Sequence, residues 1–124
     1  MIKKVDGFTE FENRRGGKGI IRMFNVMGDI VFEDVNWLGI VELDPGSSIG
    51  THTHNGEGEL YHILEGQGIF NDNGIEEEVG PGCFCMIEPE QSHGLTNTSN
   101  TEKMIMLACV YKSFRTVEKT WASK

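Results

Sequence analysis

Apolar residues recur along this chain in short runs separated by glycine-rich turns, with almost no helical periodicity. Residues 20–26 are apolar and β-favouring and predict a strand. Residues 29–35 and 37–43 predict two more, with their inside–outside alternation weakened by apolar pairs. Further strands are expected over residues 60–64, 68–70, 75–79 and 83–87, with another beginning at His93. Residues 104–111 form a strongly apolar run, long enough to be a central strand. The punctuation is turn chemistry: Asp44-Pro45-Gly46, Asn71-Asp72-Asn73-Gly74, Gly80-Pro81-Gly82 and the polar Thr98-Ser99-Asn100-Thr101. Asn73-Gly74 between two β-favouring runs predicts a hairpin. Residues 1–19, with Gly16, Gly17 and Gly19, predict an arm or loop, and residues 112–124, with Phe114, Val117 and Trp121, a short terminal helix or strand. The pattern is that of an all-β sandwich or barrel: one domain over residues 20–124, preceded by the arm.

The net charge of −8 argues against nucleic acid, whose phosphates need a basic face. No apolar run is long enough to span a membrane, and no apolar stretch follows the N-terminal lysines as in a secretory signal. The three cysteines Cys83, Cys85 and Cys109 have no framework spacing, so a reducing, cytoplasmic setting is expected, with Cys83 and Cys85 as small buried hydrophobes. Arg14, Arg15 and Lys18 make a small basic cluster, read as solvated charge or a partner contact. With Arg22 and Arg115, Arg14 and Arg15 are the chain's guanidinium groups, so an anionic substrate has few clamps.

The candidate chemistry lies between residues 46 and 66. His52 and His54 are two apart, so on a strand both imidazoles face one point. Glu59 is at an odd offset from both and joins them only if the register breaks, which Asn55-Gly56-Glu57-Gly58 permits. Tyr61 then shares the face of Glu59, and His62 faces away. His93, on a distant strand, completes the set His52, His54, Glu59 and His93, suited to a divalent first-row metal.

The run Gly46-x5-His52-x-His54-x4-Glu59-x6-Gly66 resembles the first motif of the cupin superfamily at every defined position. The second cupin motif is matched by Gly82, His93 and Asn97, with Glu88 where it has proline and Glu90 where it has glycine. The resemblance implies a single-domain, RmlC-like double-stranded β-helix, the jelly-roll barrel, with one metal ion (Fe, Mn, Ni, Cu or Zn) per chain. It also implies a small-molecule ligand: an organic acid, a sugar or a related oxygenated metabolite. The expected activity is that of a metal-dependent dioxygenase, lyase or isomerase, with Tyr61 as candidate proton donor. The alternative is a binding or sensor module without turnover. Oxalate-type decarboxylation is disfavoured, since such relatives usually carry two cupin domains. A homodimer is expected, with the strand over residues 20–26 and its preceding arm as the exchanged or abutting element. Glu88 and Glu90 are expected as solvated rim charges; if one overhangs the cavity mouth it repels anions and favours a neutral or cationic ligand.

Overall fold

The computed structural model describes residues 1–112. The expected terminal helix or strand of residues 112–124, and Arg115, lie outside the described residues but for Lys112 itself.

Among the described residues ten strands follow one another: β1 (Thr9–Glu12), β2 (Ile20–Asn25), β3 (Val35–Leu43), β4 (Ser48–Thr53), β5 (Gly58–Glu65), β6 (Gly68–Asp72), β7 (Ile75–Val79), β8 (Phe84–Ile87), β9 (Ser92–Asn97) and β10 (Met104–Tyr111). They form a six-stranded sheet ordered β1-β2-β3-β10-β5-β8 and a four-stranded sheet ordered β4-β9-β6-β7. These strands pair antiparallel throughout, and the two sheets make a double-stranded β-helix. As its apolar run predicts, β10 is central, paired with β3 on one side and β5 on the other.

Period-two burial builds the core. In β10, Met104, Met106, Ala108 and Val110 point inward and are buried. They meet Val41 and Leu43 of β3, Ile63 of β5, Ile87 of β8 and Leu95 of β9. The β6–β7 hairpin turns on Asn73 (φ 53°) and Gly74 (φ 93°), both left-handed as the Asn-Gly signal requires.

Two sequence expectations are corrected. Residues 29–35 are not a strand; they form turns and a single bridge, Phe32 to Val35, and β3 starts at Val35. With apolar residues adjacent rather than alternating there, no one face would be buried by extending the segment. The arm of residues 1–19 is not all loop: it contributes β1, which pairs with β2, and a 3₁₀ turn over Arg14–Gly16. Its alternation is masked because β1 is an edge strand with only Phe11 partly buried.

Candidate metal centre

His52 lies on β4, His54 one residue beyond it, Glu59 on β5 and His93 on β9. The odd offset of Glu59 is resolved by a change of sheet. The chain leaves the four-stranded sheet after Thr53, turns through Gly56 (φ 72°), and enters the six-stranded sheet at Gly58. A second irregularity was not legible in the sequence. Ile49 pairs with Leu95 and His52 with His93, so β4 uses three residues where β9 uses two. This bulge turns Ile49 into the core and still lets His52 face the cavity.

Four donor atoms converge. His52 Nε2 is 3.0 Å from His54 Nε2, which is 3.1 Å from His93 Nε2. Glu59 Oε1 is 2.9 Å from His54 Nε2 and 3.0 Å from His93 Nε2. All four atoms lie within 4.8 Å of one another. An octahedral ion with bonds of about 2.1 Å places neighbouring ligands about 3.0 Å apart.

The outer nitrogens fix the tautomers. His52 Nδ1 is 2.7 Å from the Gly50 carbonyl, and His54 Nδ1 is 3.1 Å from Glu57 Oε1. Both partners can only accept, so each ring proton sits on Nδ1 and a bare Nε2 lone pair faces inward. Two lone pairs and a carboxylate crowded together repel unless a cation lies between them, so the donor set fits a divalent metal. Glu57 in turn accepts from Asn36 Nδ2 at 2.8 Å. Its supporting role was missed, because nothing in a turn sequence marks which carboxylate reaches back to a ring.

With a metal bound those Nε2 atoms are bare; without one, Glu59 draws a proton onto His54 Nε2, in the place a cation would take. Burial lowers the pKa of His52 to about 4, so it is neutral. Burial acts to raise the pKa of Glu59, but its hydrogen bonds with His54 and His93 outweigh this and hold it at about 2. The pKa of His54 is raised, first by its hydrogen bond to Glu59. Tyr61 is 2% exposed, and burial, then the charge of Glu59, pushes its hydroxyl well above its ordinary value. The hydroxyl lies 3.5 Å from His93 Nε2 and hydrogen-bonds Glu59. His62 faces away as expected, its ring stacked on Phe84 at 4.1 Å.

The donors open into a cavity of about 280 Å³. Its walls are Met23, Trp37, Val41, Ile49, Met106, Ala108 and Val110, and Arg14 and Arg15 also line it. Neither Glu88 nor Glu90 does. Both are exposed, as solvated charges should be, but the idea that one guards the cavity against anions is corrected. Glu90 occupies the glycine position of the second motif with a positive φ of 72°, and its carboxylate accepts from Gly56 N–H at 2.6 Å. That bond ties the turn before β9 to the sheet-changing loop and offsets the strain of a left-handed side-chain residue.

Fold and site together define a small jelly-roll protein whose cavity could hold a metal ion. Residues 39–110 match the family described as "Cupin domain". The chain belongs to the cupin family. It is 38% identical over 91 residues to an "Oxalate-binding protein" from Thermotoga maritima, covering 73% of this chain and 75% of that one. A crystal structure of a "predicted oxalate decarboxylase" from the same organism superposes with a TM-score of 0.85 at 33% identity, over 90% of this chain and 99% of that one. KdgF from Halomonas sp. shares the fold, with a TM-score of 0.69 at 13% identity over 88% of each chain. That chain, described as a predicted oxalate decarboxylase, is of single-domain size like this one, 99% of it being covered.

Proposed function

We propose that the protein binds a small carboxylate of the oxalate type at a divalent metal held by His52, His54, Glu59 and His93. The observation that carries this reading is the convergence of bare imidazole nitrogens and a carboxylate at the floor of the cavity. The likeness to an oxalate-binding protein supports the ligand class. The metal would supply Lewis acidity and open positions for a ligand oxygen. The chain's own residues do the rest. Gly50 and Glu57 hold two imidazoles in their metal-binding tautomer. The apolar walls lower the local dielectric, which strengthens the charge interactions beside them. Tyr61 keeps its proton and hydrogen-bonds Glu59, so it positions that carboxylate.

The test is calorimetric titration of Mn(II)-loaded protein with oxalate. No heat from oxalate, with the metal shown to be bound, would refute it. A second reading, turnover, is favoured by the neutral Tyr61 hydroxyl beside the donors, placed to give a proton. Carbon dioxide and formate assayed in the same mixtures separate the two.

We also propose a homodimer in a reducing compartment, the latter supported by the three free cysteines. Within the chain β2 has both edges paired, while β1 of the preceding arm forms the edge of the sheet; a broader surface is the outer face of that sheet. The outer face of the six-stranded sheet carries two nearly unbroken apolar rows. One runs Phe24, Ile40, Leu107, His62, Phe84 and the other Leu38, Cys109, Leu60, Met86. An outward sheet face normally reads polar. Strands about 4.8 Å apart make this patch some 20 Å across, enough for the apolar centre of an interface of about 800 Å² per partner. A second copy presents the same uncharged rows, and sheets stack face to face about 10 Å apart.

A further inference from the structure

We propose that Arg14 and Arg15 form an anion subsite at the mouth of the metal cavity, so that the cavity selects a small dianionic carboxylate over monoacids and neutral sugars. This rests on the carboxylate reading above and adds to it the charge of the ligand and the residues that read it.

Both arginines line the same cavity as His52, His54, Glu59 and Tyr61. In a protein of net charge −8, neither forms an ion pair among the described residues, although Arg22 forms two. The Arg14 guanidinium rests on the Phe11 ring at 4.4 Å, which fixes its place without neutralising it. Burial lowers the pKa of Arg14, and the neighbouring charge of Arg15 lowers it further. Two adjacent, unpaired guanidiniums beside a cavity are relieved by an anion that both can bond.

The backbone holds them there at a cost. Asn13 (φ 51°) and Arg15 (φ 55°) are both left-handed without being glycine. Such strain persists only where surrounding structure enforces it, and it gathers at ligand sites. The enforcement is visible. Gly17 approaches β4 so closely that a Cβ would stand 2.1 Å from the Ser48 carbonyl oxygen. A Cβ on Gly50 would stand 2.1 Å from the Arg15 carbonyl oxygen. Ser48 N–H donates to the Lys18 carbonyl at 2.9 Å, and Ile20 N–H to Ser47 Oγ at 3.0 Å. The 3₁₀ turn is thus clamped onto the strand that carries His52, which sets the distance between guanidiniums and donors. Lys18, two residues after that turn, lines a different groove and serves as a control of like charge.

The experiment titrates the full-length, Mn(II)-loaded protein with oxalate, malonate and acetate, with metal content measured for each variant. The Arg14→Gln/Arg15→Gln double variant should lose about 30-fold in oxalate affinity, change by less than about 2-fold for acetate, and keep its manganese. Arg14→Lys should restore part of the loss, since a point charge replaces a fork. Lys18→Gln should match wild type. The inference is overturned if the double variant binds oxalate normally, if it loses oxalate and acetate alike, if Lys18→Gln is equally damaging, or if manganese is lost. Wild type that binds neither oxalate, malonate nor acetate would overturn the carboxylate reading, and this inference with it.

Discussion

Replacing Asn97 with alanine should destabilise the protein by about 2–4 kcal/mol. Asn97 ends β9 and is 1% exposed. Its Nδ2 donates to the carbonyls of Leu43 (3.1 Å), Asp44 (3.2 Å) and Glu102 (2.8 Å). Its Oδ1 accepts from Ser99 N–H at 3.0 Å. One buried amide therefore joins the end of the four-stranded sheet to the β3–β4 turn and to the loop before β10. Alanine removes two donors and one acceptor, each worth about 1 kcal/mol net, and leaves the interior Leu43 carbonyl without its side-chain donor. For a domain this size the melting point should fall by roughly 10 °C. Asn97→Asp should be worse than alanine, because it points a carboxylate at three carbonyl oxygens. Urea unfolding monitored by circular dichroism, on metal-free protein so that metal binding does not mask the loss, gives the numbers. A loss below about 0.5 kcal/mol for alanine, or an aspartate variant more stable than the alanine one, would refute the reasoning.

Elemental analysis should show that His52→Ala, His54→Ala and His93→Ala each empty the metal site, that Glu59→Ala does so less, and that His62→Ala retains full metal; loss on changing His62 alone would contradict the assignment. Burial pushes the Cys85 thiol up to about 11, so its alkylation should stay slow at pH 8 and accelerate only near pH 11. Because the folded protein holds that proton more tightly than the unfolded chain, the stability it lends is complete below pH 9 and is lost as pH rises through 11. Phe84→Glu and Met86→Glu, at side chains 59% and 57% exposed, should give monomers by sedimentation with unchanged circular dichroism. Ile75→Glu, on the other sheet and 66% exposed, should leave the dimer intact; the reverse pattern would move the interface elsewhere.

The strands and the four converging residues were legible because each depends on local rules: period two, turn residues, and the spacing of His52, His54 and Glu59. What was not legible depends on which segments meet. The bulge at Gly50 and Thr51 shows only when β4 is laid against β9. Asn97 stands in the sequence only as a matched position of the second motif; its structural role shows when three carbonyls from two other segments arrive around its amide. Arg14 and Arg15 read as solvated charge because the sequence says nothing of the cavity their turn lies over. The outer apolar rows were half visible, as the adjacent apolar pairs that blurred the alternation of β3.

The placement of β10 sets an order of assembly. It lies between β3 and β5, yet it is the last of the described strands to be made. Until Tyr111 has been synthesised, the six-stranded sheet exists as two unjoined pieces, each with a bare hydrogen-bonding edge. Glu59 and Tyr111 are separated by a stretch of chain that takes roughly 3–10 s to translate. For that interval β5 waits without the neighbour that fixes its register, and His52, His54 and Glu59 are already present without a closed cavity to hold them. Such a chain should depend on chaperone cover early and fold mainly after its final strand emerges, in one late and largely cooperative step.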